Sequence, residues 1–156
     1  MPRLQKELGK KKAFTCPTQE AYLNIVRTHH ELSEAFTKLF KSYGLSESAY
    51  NVLRILRGHH PQPVPSQEIC GQLVVRVPDV TRLVDRLVTQ GLADRQRTEE
   101  DRRLVLVSIT RQGLDLLKRL DAPLTDLHNK QLGRLSETEL NRLSRLLEKA
   151  RAGCND

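Results

Sequence analysis

The sequence predicts a mainly α chain with a small antiparallel β-hairpin set among its helices. Three observations predict it. Apolar residues recur at steps of three and four over most of the 156 residues, the period of helices that bury one side. The step shortens to two only between Leu92 and Ile109, where side chains alternate as in a strand. Gly, Ser, Thr and Pro stand where helices must begin or end. A chain of this length fits one domain that buries a core without a metal or disulfide staple, and 38% hydrophobic with 29% charged residues is ordinary for such a domain. The longest aliphatic run is Leu104 to Val107, far short of the roughly 20 apolar residues of a spanning helix. The opening MPRLQKELGKKK lacks the apolar stretch of a secretion signal. A cytoplasmic chain with no membrane partner is expected.

Residues 1–17 hold Arg3, Lys6, Lys10, Lys11 and Lys12 against one acid, Glu7, and read as a mobile basic arm. From Thr18 a long helix carries Tyr22, Ile25, Val26, His29, Leu32, Ala35, Phe36, Leu39, Phe40 and Tyr43 at helical steps, and Gly44 is placed to end it. Ser46 caps the next helix, with Ala49, Tyr50, Leu53 and Leu56 inward and a stop at Gly58. After the loop PQPVP, Ser66 starts a short helix whose inner side is Ile69, Cys70 and Leu73. Pro78 suits the first position of a following helix, in which Val80, Leu83, Val84, Leu87 and Val88 form one stripe and Gly91 ends the run.

Leu92–Arg97 and Leu104–Ile109 then read as two strands joined by the polar segment from Thr98 to Arg103. Thr110 caps a long helix with Leu114, Leu117, Leu120, Leu124 and Leu127, which Pro123 must kink by removing a backbone donor. The last helix opens on Ser136-Glu137-Thr138-Glu139, a capping box. Its apolar positions are Leu140, Leu143, Leu146, Leu147 and Ala150.

Two short helices joined by a tight turn and followed by a hairpin make a winged helix-turn-helix, here over 46–110. An α-helix fills the major groove of duplex DNA. A helix buried along Val80, Leu83, Val84 and Leu87 must turn Thr81, Arg82 and Arg86 outward, with Arg76, Pro78 and Asp79 at its approach. At the hairpin, Arg102 and Arg103 are placed to enter the narrow minor groove, with Asp101 bracing one of them. The excess of 26 Lys and Arg over 19 Asp and Glu favours a polyanionic partner. The plainer alternative is a solvated face in which Arg82 and Arg86 pair with Asp85, and the acids Glu99, Glu100 and Asp101 oppose phosphate binding. The stretch from Arg76 to Arg111 holds eight basic and six acidic residues.

The stretch PDVTRLVDRLVTQGLADRQRTEEDRRLVLVSITRQG resembles the recognition helix and wing of the MarR family of bacterial transcription regulators. TRLVDRL, the QGL turn, the DRR wing and the SIT helix start carry the resemblance, and the helix order matches over roughly 18–152. It implies a homodimer whose helices 18–45 and 111–152 intertwine while two winged lobes straddle a pseudo-palindromic duplex. By position, Asp101 and Arg103 match the family's wing Asp-x-Arg, and Thr81 and Arg82 match its major-groove contacts. Dimerisation also answers a burial problem, because two long helices beside a small lobe have too few partners within one subunit. The function read from this is a repressor of transcription, released by a small-molecule ligand, phenolic compounds included. Tyr22, Val26, His29, Tyr50 and Leu53 are the candidate lining of its crevice.

The alternatives of the same fold are a redox-responsive or metal-responsive regulator and an interaction module without DNA binding. Cys16, Cys70 and Cys154 form no CxxC pair, and the first helix lacks the reactive Cys of the family's peroxide sensors. Cys70 reads as a buried thiol and Cys154 as part of a tail. His29, His30, His59, His60 and His128 show no HxxxH spacing, so no metal site and no cofactor are expected. Neither G-x-S-x-G nor a phosphate-cradling Gly loop is present, and no enzyme is expected.

Overall fold

Local chemistry sets the helix boundaries. The Ser46 hydroxyl accepts from the Ala49 N–H at 3.1 Å and the Thr110 hydroxyl from the Gly113 N–H at 3.1 Å. Ser136 and Glu139 close a reciprocal capping box. Each such cap contributes about 1 kcal/mol by satisfying an exposed donor. At the other ends, Gly44 (φ +73°) and Gly91 (φ +71°) take the left-handed conformation that stops a helix.

The computed structural model describes residues 3–97 and 105–153. Among them the elements follow in the order α1 (Arg3–Glu7), α2 (Pro17–Ser42), α3 (Glu47–His59), β1 (Val64–Pro65), α4 (Ser66–Gln72), α5 (Val80–Thr89), β2 (Ala93–Arg97), β3 (Val105–Ile109), α6 (Arg111–Leu132) and α7 (Glu137–Ala152). The sheet is antiparallel in the order β1-β3-β2, with Ala93 opposite Ile109 and Arg97 opposite Val105. One core joins Leu53 and Leu56 of α3, Ile69 of α4, Leu87 of α5, Val107 of β3 and Leu117 and Leu120 of α6, none more than 1% exposed. Each contributes roughly 1.5 to 3 kcal/mol by leaving water. In contrast, α7 has no buried residue, and Tyr22, Ile25 and Val26 on α2 are 65%, 46% and 47% exposed.

The structure departs from the sequence reading at several points of the fold. The segment expected as an arm contains α1, with Leu4 and Gln5 only 4% and 2% exposed, a Gln5 amide donating to the Lys10 carbonyl and Glu7 beside Arg27. Five residues are too few to show a period. The expected PQPVP loop contributes β1, with Val64 paired to Val107; Pro65 is tolerated because the strand lies at the sheet edge. The second helix ends at His59 rather than Gly58. Pro78 stands outside α5, because Asp79 takes the cap position. Cys70 is exposed rather than buried: Ile69 fills the core position, and its neighbour is turned about 100° away.

The start of α6 seats against the base of the hairpin at Gly113. A Cβ there would overlap the Leu92 carbonyl and come within 2.7 Å of Ile109 Cγ1. Gly113→Ala is expected to destabilise the fold by about 2 kcal/mol through overpacking, read as a lower urea midpoint at unchanged m-value.

Candidate nucleic-acid interface

Helix α5 is anchored by Val80, Val84 and Leu87, which are 8%, 2% and 0% exposed. A cylinder buried on that stripe turns Thr81, Arg82, Asp85 and Arg86 to solvent, and all four are exposed. The structure therefore brings Thr81, Arg82 and Arg86 to one open face, with Arg76 and Pro78 exposed on the turn leading into it. Asp79 does two jobs at the helix start. One carboxylate oxygen accepts the Arg82 backbone N–H at 2.9 Å, and the other lies 3.0 Å from the Arg82 Nε. The aspartate is thus engaged by its own helix, while the Arg82 side chain remains 89% exposed.

Asp85 pairs with neither Arg82 nor Arg86. Its partner is the guanidinium of Arg95 on β2, a residue the sequence reading passed over. The strand period could have found it: Ala93 is buried, Asp94 exposed and Arg95 half-buried, so Arg95 shares the inward side of β2. The pair links α5 to β2 and neutralises an acid on the outward face of the helix. Asp101, Arg102 and Arg103 lie outside the described residues, as does Cys154.

The five residues expected to line a ligand crevice are not brought together. Tyr50 borders a cavity of about 290 Å³ with Phe36, Phe40, Glu47, Asn51, Arg54, Val74, Leu124 and His128. Its ring stacks on Phe40 at 4.5 Å, and Phe36 faces His128 at 4.8 Å. Burial pushes the Tyr50 phenol above its ordinary range, which keeps its O–H as a donor. Leu53 lies wholly in the core. His29 borders a separate groove of about 380 Å³ with Ile25, Leu32, Leu132, Leu143 and Leu147. Tyr22 and Val26 line neither and stand exposed on α2, Tyr22 ahead of the stripe of Ile25, His29 and Leu32 that borders the groove and Val26 turned away from it.

Cys16 is exposed at the start of α2. A hydrogen bond with the Thr18 hydroxyl, 2.9 Å away, and then the Gln19 backbone hold its thiol below the ordinary range. His59 contacts Gln72 and lies 3.9 Å from Glu68. Among the described residues no group of three or more His, Cys, Asp and Glu side chains gathers to hold a metal, and no helix is long and apolar enough to cross a membrane.

The signature of the MarR family matches residues 43–104. A solved MarR transcription factor from Planctomyces limnophilus is 43% identical, with 87% of this chain and 98% of that chain covered and a TM-score of 0.70. The chain belongs to the MarR family. Relatives of this MarR protein include the HTH-type transcriptional repressor IacR of Pseudomonas putida, 27% identical over 80% of this chain and 73% of IacR. A mutant of Escherichia coli MarR, solved in complex with operator DNA, is 25% identical over 83% of this chain and 95% of that one, with a TM-score of 0.68. The protein is thus a MarR-type transcriptional regulator with the mainly α, winged-helix fold that its sequence predicts, and its relatives are regulators rather than enzymes.

Loss of the α5 cap separates the two roles of Asp79. Asp79→Ala is expected to cost about 1 kcal/mol of stability, a fall of roughly 2 to 4 °C in melting temperature. Asp79→Asn, which still caps, should melt close to the parent.

Proposed function

We propose that this MarR regulator represses transcription by binding a pseudo-palindromic duplex operator as a homodimer, and that a small aromatic ligand releases it. The observation that carries the reading is the open face of α5, where Thr81, Arg82 and Arg86 stand opposite a fully buried stripe. In this role Thr81 and Arg82 meet base edges in the major groove, and Arg76, Pro78 and Arg86 meet its walls and phosphates. At the wing, Arg103 enters the minor groove, Asp101 braces it and Arg102 adds charge. Repression is supported by kinship to IacR, and operator binding by the DNA complex of the E. coli relative.

The homodimer is supported by what one chain leaves uncovered. A helix of 16 residues with nothing buried is marginal alone in water, and Leu143 and Leu146 of α7 are 39% and 56% exposed. Residues 18–45 and 111–152 are the dimerisation segments in this reading, and the groove lined by Ile25, His29 and Leu143 belongs to their contact. The ligand site is the hollow bounded by Phe36, Phe40 and Tyr50. Its aromatic rings suit a flat ring, and Arg54, His128 and the Tyr50 hydroxyl suit a phenol or carboxylate on it. Such a ligand acts only through unequal affinity for the lobe spacings that fit DNA and those that do not. Moving the balance from 1:99 to 99:1 takes about 5.5 kcal/mol of that difference.

Titration of an operator selected from random duplexes, across a salt series, tests the reading. A steep negative log–log slope is expected, with half-sites about one helical turn apart. Arg82→Ala and Arg103→Ala should each weaken binding by roughly 1 to 3 kcal/mol. A flat slope would instead support a protein-interaction module.

A further inference from the structure

The chain enters the winged lobe from α2, whose last turns pack on the lobe core through Phe40, and leaves it along α6; two residues mark these passages. One is Gly44, the left-handed residue between α2 and α3, where a Cβ would meet nothing within 4 Å. The other is Pro123, inside α6. The residues on either side of Pro123 have different surroundings. Leu116, Leu117 and Leu120 are buried in the lobe core and Leu124 still packs against it, whereas Gln131, two turns further along, donates its amide to the Leu32 carbonyl of α2 at 3.0 Å. Interior proline removes the N–H that the carbonyl four residues earlier would accept, and helices bend where this happens. The carbonyl left over is that of Arg119.

That carbonyl receives the hydroxyl of Tyr43 at 3.4 Å. Tyr43 is the residue immediately before Gly44 and forms the C-terminal cap of α2. One hydrogen bond therefore ties the first joint to the second, and its acceptor is the group that the second joint set free. A stronger contact stands beside it. Arg57 of α3 lays one guanidinium nitrogen 2.9 Å from each carboxylate oxygen of Asp121, two residues ahead of Pro123. Both contacts reach α6 on the N-terminal side of Pro123.

We infer that Tyr43 and Arg57 are positioning residues that hold the Gly44 and Pro123 joints in one setting, and that this setting fixes the separation of the two α5 helices in the dimer. The inference rests on the dimeric, DNA-reading function proposed above. Neither residue touches DNA in this scheme. Each acts by narrowing the range of angles at which a lobe leaves its helices, so its loss costs binding only where two lobes must fit one duplex. A neutral hydrogen bond contributes modestly once water competes for its partners, so loss of the Tyr43 hydroxyl should weaken operator binding roughly two- to tenfold.

The experiment is a distance measurement between the lobes. Spin labels are placed on the exposed position 67 of α4 by Gln67→Cys in a full-length chain with Cys16, Cys70 and Cys154 each replaced by Ser. Pulsed dipolar spectroscopy then reads the distance between the two copies. A single narrow distribution is expected for the parent and a broadened or shifted one for Tyr43→Phe and for Arg57→Gln. Pro123→Ala combined with Tyr43→Phe should restore the narrow distribution, because the N–H returned at position 123 satisfies the Arg119 carbonyl without a tyrosine. Rescue of this kind is not expected if the tyrosine merely supports the fold. Unchanged distributions in both single variants would overturn the inference, even if their melting temperatures fall, and so would failure of the rescue in a folded double variant. No dipolar signal from the parent would sink the dimer itself, and the inference with it.

Discussion

Everything on the open face of the winged lobe depends on the burial of one side of α5. Val80, Val84 and Leu87 are drawn into the core by the same force that gathers Leu53, Leu117 and Val107. Once that stripe is fixed, a rigid cylinder has no freedom left to choose what it shows outside. The outward residues are polar and cationic because the inward ones are not. The caps and ion pairs refine this arrangement without creating it: Asp79 sets where the helix starts and Arg95 sets how it meets β2.

Where a residue's role follows from its own helix, the sequence was enough to read it. The caps at Ser46, Thr110 and Ser136, the glycine stops at 44 and 91, and the α5 stripe are all local patterns, and the structure has them where periodicity puts them. Roles decided by a distant partner were less legible. The strand Val64–Pro65 has two residues and takes its identity from Val107, some forty residues away. Arg95 gains meaning only from Asp85, and α1 only from the burial of Leu4 and Gln5. The hollow beside Tyr50 joins Phe36 to His128 across nearly a hundred residues. Leu53 looked equivalent to Tyr50 on a helical wheel, but three positions rotate a side chain by about 60° from its starting direction, enough to move it from the cavity rim into the core.

The charges follow a similar logic. Both acids at the outward side of α5 are paired with a base: Asp79 with Arg82 and Asp85 with Arg95. Arg82 keeps its exposure despite that contact, so its positive charge still projects outward. Each pair joins one acid to one base, so the pairs fix where charge stands on this face without changing its sum.

Val74 belongs to two neighbourhoods at once. It walls the hollow beside Phe36 and Tyr50, and it stands in the short connection between α4 and α5, five residues ahead of the capping aspartate. Val74 is nevertheless 73% exposed, so the turn that leads into α5 sets one side chain at the open edge of the hollow.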